Sequence, residues 1–338
     1  GDSTLPSGTE DEVLHGTLGT EWHMWRSALR PRTLLQFLFS KKGALLLLKV
    51  SRPGAYQFTF WLYLMPTGGK WEIWTDTIFW LGLFYCCWPM NVLLYAMNDY
   101  MDVTTDAVNP RKNGGWFGVQ GTRTELRLVN VIAFLVNIPF LCVFASARGV
   151  WPIALWFSAS FGINWAYNVW PKGSDKPPLD LLFPLGYLLS TLLGQILNAP
   201  DGMPFWSWLH AGLLILRVQV LTEIFDIVSD SSVGRVTSCV YLGMTNSTGL
   251  LALVLMLEFQ VVTRALPICY CLIGFTFVSV LQFMALVSPS ATQTSRNVLM
   301  GLVGVLYFAS LVETWMREVY VTHREGLSFG VPHYHMET

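Results

Sequence analysis

Two groups of carboxylates stand at matched spacing in this 338-residue chain. Each group places acidic side chains at positions i, i+3 and i+7 beside a long apolar run. The first group is Asp99, Asp102 and Asp106, and the second is Glu223, Asp226 and Asp230. At about 100° per helical residue, these positions fall on one face of a helix end. Placing carboxylates beside hydrocarbon is energetically costly, so two matched groups indicate a functional site. Carboxylate oxygens are suitable ligands for divalent cations.

The elements that carry these groups are predicted to be membrane helices. The chain is 53% hydrophobic and only 13% charged, which leaves too little polar surface to cover a soluble globule. A bilayer core of about 30 Å needs roughly 20 apolar residues per helix. The predicted spans are 53–68, 76–97, 126–147, 150–168, 179–199, 206–227, 238–262, 265–287 and 297–318. We therefore expect an all-α polytopic membrane protein, a bundle of nine transmembrane helices with a central apolar cavity.

The distribution of cations predicts which way the bundle faces. With nine alternating helices, the N-terminal region and every second connection share one face, which holds fifteen Lys and Arg against five on the other. The positive-inside rule makes the richer face, and with it the N-terminus, cytoplasmic. Both acidic groups lie on that face, so the cavity is expected to open to the cytoplasmic side.

Three connections on this face place five cationic side chains near the acidic groups. These side chains are Arg111, Lys112, Lys172, Lys176 and Arg235. Mg²⁺ takes one or two carboxylates plus substrate phosphate oxygens, and Lys or Arg can bond to the same oxygens. The combination predicts a diphosphate site in which metal and cations stabilise the leaving group. An allylic diphosphate would then leave a carbocation in a bundle whose aromatic faces attract cations.

Simpler interpretations of these charges remain open. One acidic group at a helix end can be a solvated surface or an ion-pair network, although two matched groups on one face favour a site. Arg111 and Lys112 could instead anchor the chain to anionic membrane lipid. Arg217 lies inside a span, about 9 Å deeper than Glu223 along one helix. We expect it either to pair with the two acidic groups or to contact substrate.

The other chemistry-bearing residue types indicate no second site. The six cysteines lie in or beside apolar spans, and the six histidines form no metal-ligand spacing. We expect packing cysteines, with neither disulfides nor zinc. No basic stripe with interleaved aromatics is present, which argues against a nucleic-acid partner. Outside the bundle we predict a polar N-terminal tail at 1–33, an interfacial amphipathic helix at 34–50, and a C-terminal tail at 321–338.

The two acidic groups resemble the signature motifs of the UbiA superfamily of intramembrane prenyltransferases. The N-D-x-x-D-x-x-x-D motif is matched by Asn98, Asp99, Asp102 and Asp106, and the D-x-x-x-D motif by Asp226 and Asp230. The likeness covers residues 51–320 and implies that they form a nine-helix UbiA-like domain. The family also tends to have a tyrosine and a lysine after the fourth helix, where Tyr167 and Lys172 stand one residue further apart than usual.

The resemblance implies an Mg²⁺-dependent enzyme that ionises an isoprenyl diphosphate and transfers the prenyl group to a lipophilic acceptor. The metal ligands would be Asp99, Asp102, Asp106, Asp226 and Asp230, and Glu223 joins them by spacing alone. Asn98 would orient the first group or bind the diphosphate. The segments 51–53, 61–63 and 109–112, with Arg52 as a further substrate-binding candidate, look like those of members that prenylate carotenoids or other isoprenoid chains.

Two alternatives belong to other classes of reaction or protein. A terpene cyclase of the same superfamily would ionise the same diphosphate, but the substrate's own double bond would capture the cation. A cation transporter would use the carboxylates as ion ligands. Transporters tend to bind ions at the midplane on broken helices, whereas these carboxylates are predicted at helix ends.

Overall fold

In the computed structural model the chain is a bundle of helices joined by short connections. The structure describes residues 29–67, 71–109, 112, 117–199, 202–203 and 205–265, and every regular element among them is helical. Residues 266–338, which hold nearly all of the last two predicted spans and the C-terminal tail, lie outside this part. So do Arg111 and most of the N-terminal tail. The all-α class is confirmed, and the count of nine helices stays a prediction.

The predicted interfacial helix is two helices. They are α1, Pro31–Leu38, and α2, Lys41–Val50. Ser40 separates them because its side chain accepts a hydrogen bond from the Gly43 backbone N–H at 2.9 Å, which caps the start of α2. One face of α2 buries Leu46, Leu47 and Val50 against the bundle.

The bundle follows in a regular order of longer helices and short turns. Its helices among the described residues are α3 Tyr56–Leu64, α4 Thr77–Tyr85, α5 Asn91–Met101, α6 Val103–Asp106, α7 Arg123–Arg148, α8 Val150–Asn168, α9 Leu179–Leu182, α10 Leu188–Asn198, α11 Phe205–Ser232 and α12 Ser238–Ala265. The 3₁₀ turns are Pro53–Ala55, Met65–Thr67, Trp71–Thr75, Gly173–Asp175 and Phe183–Tyr187. These bounds agree with the predicted spans to within a few residues.

Four stretches of the described residues are long and apolar enough to cross a membrane. They are Thr77–Met101, Arg123–Arg148, Leu179–Asn198 and Ser238–Val261. Two of them begin at capped ends. Asp76 accepts a hydrogen bond from the Ile78 N–H at 2.8 Å before α4, and Thr122 forms a capping box with Glu125 before α7.

Three helices are less regular than the sequence predicts. The predicted span 76–97 contains a π-helical segment, Cys86–Met90, because Pro89 lacks the N–H that a continuous helix needs. A 3₁₀ turn with Pro184 separates α9 from α10. α12 bends at Gly243, whose φ of 74° is accessible to glycine with little strain.

The packing of α5 fixes where the first acidic group lies. A buried apolar cluster joins α5 to α2 and α7 through Val92, Leu47 and Leu126. A larger cluster, which includes Trp61, Tyr85 and Leu193, fills the space among α3, α4 and α10. Close packing of this kind stabilises helix association within a bilayer, so the contacts of α5 with α2 and α7 hold the first acidic group in place before any charge is considered.

Candidate functional site

The first acidic group lies where α5 ends. Asp99 belongs to the last turn of α5, Asp106 ends α6, and the backbone leaves helical geometry between them at Asp102. The three residues are only 1%, 4% and 6% exposed in the order Asp99, Asp102, Asp106. Buried carboxylates need counter-charges or hydrogen-bond donors, so the surrounding cations decide what this group can do.

Lys112 is the first of these cations. Its Nζ lies 2.7 Å from Asp99 Oδ1 and 3.0 Å from Asp106 Oδ2. Burial raises the pKa of Asp106 to about 6, and repulsion from Asp99 and Asp102 adds to this rise, whereas Lys112 opposes it. Any further cation bound here would favour the charged carboxylate in the same way.

Arg52 is the second cation on the first group. Its Nη2 donates to Asp99 Oδ1 and to Asn98 Oδ1, both at 3.0 Å. Its guanidinium carbon lies 3.8 Å from the centre of the Tyr95 ring, in a cation–π contact. The φ of 54° at Arg52 is uncommon for a residue other than glycine, and such strain often marks functional positions.

The second acidic group lies on α11 and meets the first. Asp226 Oδ1 accepts a hydrogen bond from Asn109 Nδ2 at 3.3 Å. Arg235, in the connection after α11, lies 3.3 Å from Asp102 and 4.0 Å from Asp230. The structure therefore brings the two groups together, with a cation between them.

Most of these side chains line a cavity of about 320 Å³, whereas Asp99 does not. Its polar wall includes Arg52, Asn98, Asp102, Asp106, Asn109, Lys112, Asp226, Asp230 and Arg235. Its apolar and aromatic wall includes Phe58, Trp61, Leu94, Tyr95, Ile163, Tyr167, Phe183, Tyr187, Leu214 and Ile215. A central cavity that joins a charged region to an aromatic one can hold an anionic head with an apolar tail.

The carboxylates fit a magnesium ion that is shared with a substrate. Asp99 Oδ2 is buried without a hydrogen-bond partner among the described residues, so a hard oxygen remains for a cation. In the same part of the chain, no three acidic, histidine or cysteine side chains converge closely enough to hold a metal alone. Mg²⁺ does not need such a set, because one or two carboxylates, phosphate oxygens and waters complete its shell.

Glu223 has protein partners of its own. It accepts hydrogen bonds from Gln219 Nε2 at 2.8 Å and from the Cys239 backbone N–H at 3.3 Å. Nearby, Asp180 accepts from the backbone N–H and the hydroxyl of Ser238. The two carboxylates thus cap the first turn of α12, where acidic groups are stabilising. A metal role for Glu223 stays a prediction based on spacing.

Arg217 has a partner that the sequence analysis missed. Its Nε and Nη2 lie 2.6 and 3.4 Å from the carboxylate of Glu258 on α12, and the two residues are 2% and 0% exposed. The structure therefore pairs Arg217 with Glu258 on α12 rather than with the two acidic groups. Arg217 also lines the cavity. A lone glutamate inside the apolar run 238–262 was the available signal.

The remaining predicted side chains divide into two sets. Tyr167 lines the cavity and packs edge-on against Phe183. Lys172 forms an ion pair with Asp175, Lys176 is exposed, and neither of these lysines lines the cavity. The structure thus gives no support to the two lysines as ligands of an anion bound here.

Comparison with known proteins gives relatives in sequence and in fold. No family model matches the chain. A lycopene elongase/hydratase from Corynebacterium glutamicum is 28% identical over 267 residues, which is 75% of this chain and 89% of that protein. A UbiA homologue from Archaeoglobus fulgidus, solved with DMAPP and Mg²⁺, has a TM-score of 0.52 at 14% identity and matches 80% of this chain and 99% of its own. In sequence and in fold, the chain is similar to UbiA-type prenyltransferases.

Further relatives show the same similarity in sequence and in fold. A lycopene elongase/hydratase from Haloarcula japonica is 25% identical over 211 residues, 60% of this chain and 68% of that protein. A structure described for digeranylgeranylglyceryl phosphate synthase has a TM-score of 0.50 at 14% identity and matches 81% of this chain and 98% of its own. The resemblance to UbiA prenyltransferases that the two motifs predicted is confirmed, and the relatives support the predicted class of enzyme, a prenyltransferase.

A glycine beside this site makes room for Lys112. Gly118 has a φ of 155°, and a Cβ there would lie 2.3 Å from Lys112 Cδ. Overpacking costs about 1–3 kcal/mol, so we expect Gly118→Ala to displace Lys112 and lower kcat/KM for prenyl transfer about tenfold. Gly162→Ala is the control, because a Cβ at Gly162 meets nothing within 4 Å. Unchanged kinetics in both variants would contradict a role for the Lys112 position.

Proposed function

We propose that this protein is an Mg²⁺-dependent intramembrane prenyltransferase that moves a prenyl group from an isoprenyl diphosphate to a lipophilic acceptor. One observation carries the proposal. Two acidic groups and cations from three separate connections meet on the charged wall of a cavity whose other wall is aromatic. Both halves of a prenyl diphosphate, the anionic head and the apolar tail, find matching surfaces there.

The acidic groups are the proposed metal ligands. Asp99 and Asp102 from the first group, and Asp226 and Asp230 from the second, would hold Mg²⁺ together with the diphosphate, and Asp106 would support them. When bound, Mg²⁺ neutralises charge that the diphosphate develops as it leaves. The UbiA homologue from Archaeoglobus fulgidus, solved with Mg²⁺ and DMAPP, supports this choice of metal.

Three cations of this chain are the proposed diphosphate ligands. Lys112, Arg52 and Arg235 already lie within 3.3 Å of the carboxylates of the first group, so each can be shared with phosphate oxygens. Arginine suits this role because its planar guanidinium can make two parallel bonds to one phosphate. Arg111 stays a candidate from the sequence alone.

The aromatic wall is the proposed environment of the allylic cation. Tyr95, Tyr187 and Phe58 line the cavity, and Phe58 packs edge-on against Tyr187 with ring centres 5.9 Å apart. Their faces would stabilise positive charge on carbon, and the apolar surroundings would exclude water that could quench it. The cation would then meet the acceptor.

The acceptor is proposed to be a linear isoprenoid or polyene. Two curated relatives are named lycopene elongase/hydratase, and a third, from Dietzia sp., is named a C(50) beta-cyclic carotenoids biosynthesis protein and is 32% identical over 123 residues. The sequence likeness around Arg52 points the same way. We also propose that the charged end of the cavity opens to the cytoplasm, as the distribution of Lys and Arg indicates.

An incubation with labelled prenyl diphosphates tests this function. The purified protein, with Mg²⁺ and a polyene acceptor, is expected to convert label into acceptor carrying an added prenyl group, and chelation of the metal should abolish conversion. Without acceptor, a cyclised labelled hydrocarbon would indicate a terpene cyclase instead. Ion uptake by reconstituted vesicles without any prenyl product would indicate a transporter.

A further inference from the structure

A row of asparagine side chains connects α8 to the first acidic group. Asn98 Nδ2 donates to Asp102 Oδ2 at 3.2 Å and to Asn168 Oδ1 at 3.0 Å. Asn168 Nδ2 in turn donates to Asn164 Oδ1 at 2.7 Å and to the Asn164 backbone carbonyl at 2.9 Å. Asn98 matches the family motif, but Asn164 and Asn168 were not singled out by the sequence analysis.

Arg52 fixes the direction in which these amides point. A guanidinium can only donate, so Asn98 must turn its oxygen to Arg52 and its nitrogen to Asp102 and Asn168. Asn168 must then accept through its oxygen, which leaves its nitrogen for Asn164. A flipped Asn168 would place its oxygen against two acceptor oxygens of Asn164. Hydrogen bonding therefore assigns one orientation to the whole row.

The bonds at Asn168 differ from those of an ordinary packing asparagine. Asn168 and Asn164 are 2% and 8% exposed, so an unpaired amide there would be costly. Asn137 on α7 is buried as well, but within the described part of the chain it donates to backbone carbonyls, those of Pro89 at 3.0 Å and Ala133 at 2.7 Å. Asn137 joins helices, whereas Asn168 accepts from a side chain that itself bonds to Asp102.

We propose that Asn168, supported by Asn164, is a positioning residue that orients Asn98 and, through it, the Asp102 carboxylate for the metal and the diphosphate. The inference rests on the proposed function. Without the Asn168 acceptor, the Asn98 amide loses one of its two restraints on the nitrogen side. Asp102 would then sample orientations that hold a cation less well, as happens when partners behind metal ligands are removed.

The test measures metal binding as well as turnover. Mn²⁺ replaces Mg²⁺, and electron paramagnetic resonance of free Mn²⁺, compared with protein-free solutions of the same Mn²⁺ and inorganic diphosphate, gives its affinity for the purified full chain. We expect Asn168→Leu to weaken Mn²⁺ binding about tenfold and to raise the half-saturating Mg²⁺ for turnover similarly. Asn137→Leu, compared per folded molecule, should change neither value. Equal Mn²⁺ affinity in wild type and Asn168→Leu overturns the inference.

Two further variants keep the test decisive. If Asn168→Leu does not fold, Asn168→Ser replaces it and is expected to show the same weakening, because a serine hydroxyl is too short to reach Asn98. In an Asn98→Ala background, Asn168→Leu should cause no further loss, whereas additive losses would contradict action through Asn98. A wild type that binds no Mn²⁺ with diphosphate overturns the proposed function itself, which separates the two failures.

Discussion

Asp99→Asn is expected to reduce prenyl transfer at least about 100-fold, the scale on which removal of one preorganised electrostatic contact acts. The amide keeps the shape of the side chain but removes the charge that holds Arg52 and Lys112, at 3.0 and 2.7 Å. It also removes the buried Oδ2 that has no hydrogen-bond partner among the described residues. Steady-state turnover of labelled prenyl diphosphate at saturating Mg²⁺ measures the effect.

Asp76→Asn is the matched control for this substitution. Asp76 caps the start of α4 through its hydrogen bond to the Ile78 N–H, and asparagine caps helices about as well as aspartate. Its turnover should stay within about twofold of wild type, since surface changes of this kind shift stability by only about 0.5 kcal/mol. Comparable activity in Asp99→Asn and Asp76→Asn would contradict a metal or diphosphate role for Asp99.

Glu258→Leu is expected to destabilise the folded bundle by about 3–5 kcal/mol, because it leaves the buried guanidinium of Arg217 without this carboxylate. Arg217→Leu should also destabilise the folded bundle, because it leaves the buried Glu258 carboxylate without this guanidinium. Replacing both residues by leucine should recover most of the loss, since a buried ion pair and a packed apolar pair are often of similar stability. Unfolding in detergent, followed by tryptophan fluorescence, gives the three values and their coupling.

The stability and the activity of the double variant decide the role of the pair. A double variant as unstable as Glu258→Leu would contradict mutual neutralisation as the reason for the pairing. A stable double variant that has lost prenyl transfer would assign Arg217, which lines the cavity, to substrate binding, one of the two roles that the sequence left open. A stable and active double variant would leave the pair a structural role between α11 and α12.

The charged part of the site could be predicted because it depends on local spacing. Asp99, Asp102 and Asp106 follow one helix end, so their common face follows from helical geometry. Their meeting with Asp226 and Asp230 followed from the alternation of predicted spans. The conformation of the segments that connect the helices could not be predicted from spacing or from the alternation of spans. Arg235 contacts Asp102 and Asp230 as well as Asp175, whereas the ion pair of Lys172 is with Asp175.

Side chains inside the spans were missed for a different reason. Asn164 and Asn168 share a helix face at i and i+4, and Glu258 interrupts an apolar run, so each was visible as a polar residue in a predicted membrane helix. Their partners lie on other helices, and only tertiary packing reveals them. The breaks at Pro89 and Pro184 had a local signal in proline itself, which apolar length alone does not register.

Both acidic groups are proposed to form one site for metal and diphosphate. An experimental structure with Mn²⁺ and a non-hydrolysable prenyl thiodiphosphate tests it most directly, because manganese can be located by its anomalous scattering. We expect manganese between the Asp99 and Asp226 groups, with the diphosphate in contact with Lys112 or Arg235 and the prenyl chain along Tyr95 and Tyr187. Manganese or diphosphate bound away from these carboxylates would contradict the account.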